Sequence, residues 1–306
     1  MGISQYIKEI GRGPRGSKPL TREQAADLFG QLLDGNVTDL EIGAFCLAMR
    51  IKGETPEEMC GFLGAAHSRM ALFPASDRPV IVLPSYNGAR KLPVLTPLLA
   101  LLLAREGLPV LLHGMRTEAR RTLASDVLLA LGVPALTAPE KIATGSVAHI
   151  ETGYLHAALA RLLKVREVVG LRNAGHSIVK LMNPCAGPAV VVTSYTHPEY
   201  YDMLQATFGA LHMTALLSRG LEGEVATDPR RTPRYDAFVA GVHQLLQEQQ
   251  PGTAADVPGL PTEIDIDTTA RYTQDVLDGR LPVPPALAQQ VEHILHLAAQ
   301  TPPHAP

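Results

Sequence analysis

The sequence contains no tryptophan, and cysteine is confined to Cys46, Cys60 and Cys185. Those cysteines are widely spaced among apolar neighbours, which gives neither a disulfide framework nor metal-ligand spacing and points to buried thiols. His113, His176 and His197 have no cysteine or second histidine at ligand spacing, so they read as structural and no metal centre is expected. No Ser-His-Asp arrangement or nucleophile elbow can be read. Long hydrophobic runs are missing as well. The longest, Val94 to Ala104, holds a proline and is too short to span a bilayer, and the opening MGISQYIKEIGRG has no signal-peptide hydrophobic region. The expectation is a cytoplasmic protein with no membrane partner.

What is present suffices for a sizeable core: 306 residues, 46% of them hydrophobic, read as one large domain with a smaller one. The first seventy residues read as helical throughout. Thr21 with Gln24, Thr38 with Glu41 and Thr55 with Glu58 have the spacing of capping boxes, and Pro56 suits a first helical position. Leu28, Phe29, Leu32 and Leu33, then Phe45, Leu47, Ala48 and Ile51, recur at helical spacing and form amphipathic faces. Residues 1–72 are therefore expected to be a small α-helical domain.

After Phe73-Pro74 short apolar strands alternate with helices. Strands are expected over Val80–Leu83, Leu108–Leu112, Val147–Ile150, Ala189–Thr193 and Thr214–Ser218. Helices are expected over Pro97–Arg105, Glu118–Leu131, His156–Val169 and Glu199–Ala210. Such a pattern predicts an α/β domain over 73–306 with a mostly parallel sheet. The Pro/Gly-punctuated stretch Glu248 to Asp265 reads as a surface excursion before one or two closing helices, and the end TPPHAP as frayed.

Charge is uneven although the net charge is only -3. Twelve lysines and arginines face six acids from Pro84 to Pro184, whereas acids outnumber bases by five from Leu246 to Pro282. Within the basic part, PSYNGARK (84–91) follows the first strand, a place where α/β enzymes hold phosphate on backbone amides. This turn has one glycine, and Tyr86, Arg90 and Lys91 stand where a run of N–H donors is expected.

Two longer segments carry a family resemblance. LHGMRTEARRTLASDVLLALG (Leu112 to Gly132) resembles the strand-turn-helix of anthranilate phosphoribosyltransferases that reads KHGNR-A-V-S-S and continues into a G-S-A-D-V-L-E-A-L-G helix. YLHAALARLLKVREVVGLRNAGHSIVKLMNP (Tyr154 to Pro184) is similar to that family's H-P-A-M to N-P region. The resemblance runs from Thr21 to about Asp236. It implies the nucleoside phosphorylase/phosphoribosyltransferase fold, with a small α-domain, a larger α/β domain and a substrate cleft between them. It also implies a homodimer formed largely by the small domains, with the helices of about 156–184 packing at the domain interface.

The departures from that pattern concern one substrate. The family's pyrophosphate loop GTGGDG is Ser85-Tyr86-Asn87-Gly88-Ala89-Arg90 here. Its N-I-S-T is Pro93 to Thr96, of which Thr96 alone keeps a hydroxyl. The family's lysine and asparagine around His-Gly are Leu112 and Met115, and its two phosphate-binding serines are Ala119 and Arg120. Its adjacent Asp-Glu pair, which holds magnesium, is Glu222 and Glu224 split by Gly223. Side chains now stand where backbone must approach a phosphate closely. Ser85, Tyr86, Asn87, Gly88 and Thr96 are therefore read as a vestigial substrate loop, with no catalytic residue assigned. Magnesium enters only under a transferase alternative.

The set IKEIGRG, LAMRIKGE, LPSYNGARK, LRNAGHS and HPEY is similar to the YbiB branch of these glycosyltransferase family 3 proteins. That resemblance implies a nucleic-acid-binding protein with little sequence preference. Such binding needs cations spaced along a surface and no base-reading code. The candidates are Arg12, Arg15 and Lys18; Arg90 and Lys91; Arg116, Arg120 and Arg121; Arg161, Lys164, Arg166, Arg172 and Lys180; and Arg230, Arg231 and Arg234. Tyr86 reads either as packed or as a platform for a base. Three functions are carried forward: a dimeric binder of DNA and/or RNA through backbone phosphates, a phosphoribosyl- or pentosyltransferase with an unidentified acceptor, and a protein-binding homologue.

Overall fold

The computed structural model describes residues 2–13, 15–118, 120–254 and 256–301. The expectations for Ala119 and for the chain end from Pro302 onward lie outside the described residues. The helical part begins with α1 (Ser4–Ile10), α2 (Arg22–Leu33), α3 (Asp39–Lys52) and α4 (Pro56–His67). Thr21, Thr38 and Thr55 each accept a hydrogen bond from the N–H three residues on. Gln24, Glu41 and Glu58 each accept one back from the threonine N–H. These reciprocal bonds satisfy donors that a helix start leaves open. Phe29, Phe45 and Phe62, from three different helices, meet with ring centroids 5.0–6.2 Å apart.

The α/β part runs β1 (Val80–Ser85), α5 (Thr96–Arg105), β2 (Val110–Gly114), α6 (Ala124–Ala130), β3 (Ala135–Leu136), β4 (Val147–Glu151), α7 (Thr152–Leu155), α8 (Ala157–Val169), α9 (Gly175–Ile178), β5 (Ala189–Tyr195), α10 (Glu199–Ala210) and β6 (Ala215–Arg219). It closes with β7 (Tyr235–Val239), β8 (Val242–Gln247), α11 (Ile266–Leu277) and α12 (Pro285–Gln300). One sheet holds all eight strands in the order β3-β4-β2-β1-β5-β6-β7-β8. Pairing is parallel from β3 through β6 and antiparallel for β7 and β8.

Strand β1 is apolar throughout its first four residues because both of its faces are covered. Val80 and Val82 join the core shared with the helical part, whereas Ile81 and Leu83 pack with α5 and α12 residues such as Leu98, Leu287 and Ile294. A strand buried on both sides has no polar alternation. Helices α8 and α9 pack on α2 and α4, so chain from the middle of the sequence completes the helical layer.

One expectation needs correction, and one hairpin lies outside the expectations. The helix read over Glu118–Leu131 is shorter, because Ala89 and Thr122 form an antiparallel bridge that holds the preceding segment extended along the loop after β1. The β7–β8 hairpin was not expected. Its turn is Ala240-Gly241, both left-handed at φ 48° and 82°, without the Asn-Gly signature of such turns. Asp236, with no exposed surface, interrupts the apolar run of β7 and is held by Arg234 and His243.

Candidate functional site

The crevice forms where β1 lies beside β5, since the connections from these strands leave toward opposite sides of the sheet. Open α/β sheets bind ligands at the carboxyl ends of strands at such a switch point. The loop after β1 and the loop after β6 meet there. Glu224 is 5% exposed, and every bond to its carboxylate comes from the β1 side. Its Oε1 accepts the backbone N–H of Asn87 at 3.0 Å and of Gly88 at 2.8 Å. Its Oε2 accepts the hydroxyls of Ser85 at 2.7 Å and Thr96 at 3.0 Å. Two residues earlier, Glu222 Oε2 accepts the backbone N–H groups of Arg90 and Lys91, each at 2.9 Å.

The expectation that this turn lacks a run of backbone donors is therefore wrong. The amides of Asn87, Gly88, Arg90 and Lys91 do converge, and they converge on two carboxylates of the same chain. The acidic loop is shaped for this approach. Glu222 adopts φ 56°, uncommon for a residue with a side chain, and Gly223 follows at 84°. A Cβ on Gly223 would fall 1.9 Å from Asn87 Nδ2, so only glycine allows the two loops to close. Asn87 Nδ2 donates to the Glu222 carbonyl at 2.7 Å, and Lys180 Nζ donates to the Gly223 carbonyl at 3.0 Å.

Tyr86 is packed. It is 2% exposed, and its hydroxyl bonds to His113 Nδ1 and Thr152 Oγ1 at 2.8 Å each, so it offers no face to a base. Burial pushes the His113 imidazole down to about 3, leaving it neutral. Cys46, Cys60 and Cys185 are all buried free thiols.

A magnesium ion does not fit the acidic pair in this arrangement. Both oxygens of Glu224 and one of Glu222 already accept hydrogen bonds. The remaining oxygen, Glu222 Oε1, has no hydrogen-bond partner among the described residues and faces the guanidinium groups of Arg90 at 3.5 Å and Arg121 at 3.9 Å. Magnesium needs several oxygen donors in near-octahedral array, and cations beside the one open oxygen oppose it.

Beside the two loops opens a cavity of about 640 Å³ whose wall includes eight cationic side chains against three carboxylates. The cations are Arg90, Lys91, Arg121, Arg172, Lys180, Arg219, Arg230 and Arg231; the acids are Glu118, Glu222 and Asp228. Lys180 is pushed down to about 8, chiefly by burial and further by Arg172, with Glu224 acting against the shift. Burial and the nearby Arg166 also lower Arg172, whose guanidinium donates to Asn87 Oδ1 at 2.8 Å. A second cavity of about 460 Å³ shares Arg172, Lys180, Thr196 and His197 and adds Tyr195, Tyr200 and Met203. Thr193 Oγ1, Ser194 Oγ and His176 Nε2 on its wall are buried without a partner among the described residues.

Seven of the expected cations thus share one wall, and Arg219, at the end of β6, joins them unforeseen. The other expected cations do not line it. Arg12, Arg15 and Lys18 are exposed in the N-terminal segment, and Arg12 pairs with Glu9 at 2.7 Å. Arg116 pairs with Asp126 and Arg166 with Glu118, each at 2.5 Å. Arg120, Arg161 and Lys164 are exposed. Arg234 is committed elsewhere, to Asp236 and the ring of Tyr201.

Residues 4–70 match the glycosyl transferase family, helical bundle domain. The protein YbiB of Escherichia coli (strain K12) is 37% identical over 298 residues, covering 95% of this chain and 92% of the relative. The anthranilate phosphoribosyltransferase of Methylobacterium sp. (strain 4-46) is 29% identical over 281 residues, covering 90% of this chain and 82% of that enzyme. Among solved structures, the anthranilate phosphoribosyltransferase from Thermus thermophilus superposes with a TM-score of 0.72 at 21% identity, covering 97% of this chain and 87% of the other. The Saccharomyces cerevisiae enzyme in complex with PRPP and Mg superposes with a TM-score of 0.67 at 14% identity, covering 97% and 88%.

Proposed function

This chain belongs to the YbiB-like branch of the glycosyl transferase family that also holds the anthranilate phosphoribosyltransferases, and from that premise we propose that it is a cytoplasmic, homodimeric nucleic-acid-binding protein with little sequence preference. The former substrate cleft serves as a groove for backbone phosphates. The observation that carries this reading is the 640 Å³ cavity with its eight cations against three acids. Such a wall neutralises phosphates and displaces condensed counterions without reading base edges. Tyr195, Tyr200 and His197 in the adjoining cavity add aromatic surface suited to the bases of a single strand.

Phosphoribosyl transfer is the competing reading, favoured by the names of the relatives. It requires the pyrophosphate of phosphoribosyl pyrophosphate to sit where Glu224 and Glu222 already hold the loop amides. Anion against anion in one nest is unfavourable, and the acids that would carry magnesium are engaged in the same bonds. Pure protein given phosphoribosyl pyrophosphate, magnesium and anthranilate is expected to release no phosphoribosylanthranilate.

Fluorescence anisotropy with two unrelated labelled oligonucleotides, repeated at several salt concentrations, tests the proposal. Both sequences are expected to bind with similar affinity, and for about six neutralised phosphates log affinity falls against log salt with a slope near -5 on duplex and less on single strands. A flat salt response, or tight binding to one sequence only, would reject it.

A further inference from the structure

The loop after β1 is assembled like a site that holds an oxyanion. Two consecutive backbone amides, of Asn87 and Gly88, and two hydroxyls, of Ser85 and Thr96, point at one spot within 3.0 Å of a carboxylate. Consecutive amides turned to one side form an anion-binding nest. Four donors with no acceptor would be a severe loss in a buried place, and Ser85, Asn87 and Thr96 are all buried. The spot is filled from within. Glu224 arrives from a segment 136 residues away from Gly88, over a turn that adopts left-handed backbone at Glu222 and Gly223.

We propose that this loop is a working oxyanion receptor whose resident ligand is the chain's own Glu224 carboxylate. Glu224 is an intramolecular stand-in for phosphate, and it keeps the loop in an anion-bound conformation while closing it to phosphate from solution. The altered glycines therefore did not abolish the receptor. Removing the carboxylate exposes four preorganised donors beside Lys180 and Arg172, a site for orthophosphate or a small carboxylate such as formate. The receptor lies at the end of β1, whereas the proposed polymer groove is the open wall beside it, so the inference stands whether or not nucleic acid binds.

The test is thermal unfolding of the full chain and its Glu224→Ala variant in chloride, formate and phosphate at equal ionic strength. The variant is expected to melt lower than the wild type in chloride and to regain the difference with saturable dependence on phosphate or formate, beyond the wild type's own response to the same anions, which reads general salt effects and the cationic wall. Equal melting of variant and wild type in chloride, or an equal response of both to every anion, would overturn the proposal. Should Glu224→Ala fold in no anion, Glu224→Gln decides. The amide oxygen still accepts from Asn87 and Gly88 and its N–H₂ can donate to the two hydroxyls, but the bonds lose their charge assistance. About a tenfold rise in the unfolding equilibrium constant is therefore expected, with no rescue by phosphate because the space stays filled. A Glu224→Gln protein as stable as the wild type would also overturn it. Nucleic-acid affinity, measured on the same samples, is a separate readout and decides only the groove.

Discussion

The backbone N–H of Gly88 donates to the carboxylate of Glu224 across 2.8 Å, joining the loop after the first strand to the loop after the sixth. This bond and its neighbours tie the loop after β1 into the protein's own fabric. The cations around it line an open cavity with fewer acids than bases. Under the proposed function, the same arrangement closes a small-molecule site and leaves a cationic wall open to a polyanion.

The homodimer proposed above predicts where the partner sits. Helix α3 buries Phe45, Cys46 and Met49 on one side and leaves Leu40, Leu47 and Ile51 exposed on another. Spacings of seven and four put these three on one stripe. The double variant Leu47→Asp, Ile51→Asp is expected to sediment as a folded monomer, since it alters only exposed positions. An unchanged dimer would place the interface elsewhere.

The helical layer rests on a buried ion pair. Glu58 has no exposed surface and accepts the N–H groups of Leu20 and Thr55 at 2.9 Å as well as Lys52 Nζ at 2.6 Å. Glu58→Ala strands the nearly buried Lys52 and is expected to cost roughly 3–5 kcal/mol in urea denaturation. The double change Lys52→Met, Glu58→Leu is expected to cost less than Glu58→Ala alone, because no charge is left unpaired.

Stability is expected to fall as pH drops below 6.5. Burial pushes His113 and His176 down to about 3 from an ordinary 6.5, with Arg172 and Arg166 adding to the effect at His176. The unfolded chain takes up protons near pH 6.5 that the folded protein refuses until about pH 3. The stability of the neutral state is complete above pH 6.5 and is lost progressively toward 3. Each histidine contributes a slope approaching about 1.4 kcal/mol per pH unit within that window. Urea denaturation at pH 7, 6 and 5 reads the slope, and His113→Asn is expected to reduce it by one histidine's share. A stability independent of pH over this range would contradict the burial of neutral imidazoles.

Much of the fold was legible because its signals are local. The capping pairs from Thr21, Thr38 and Thr55 act within one turn, and the apolar runs of β1 and β5 reflect burial on both faces. The β7–β8 hairpin escaped because Asp236 breaks its apolar pattern, and the reason that a carboxylate is tolerated there, Arg234 and His243, is visible only in three dimensions. At the site, the departures at Ser85 to Arg90 and at Glu222 and Glu224 could each be read in the sequence. Their mutual bonding could not, since it depends on sheet order bringing residues over 130 positions apart into contact. Arg219 gave no signal beyond its place at the end of a parallel strand.

The central claim, that the former substrate cleft is the polyanion groove, is tested most directly at Arg90 and Lys91. Arg90 is 64% exposed and only loosely paired with Glu222 at 3.5 Å, so exchanging these two side chains disturbs little of the fold. The measurement is the slope of log affinity against log salt for Arg90→Glu, Lys91→Glu beside the wild type, with Arg271→Glu in the acidic C-terminal part as control. Weaker binding to all sequences by a similar factor is expected, with a slope shallower by about two, and near-wild-type behaviour of the control. Wild-type affinity and slope in the loop variant would put the groove elsewhere and contradict the account.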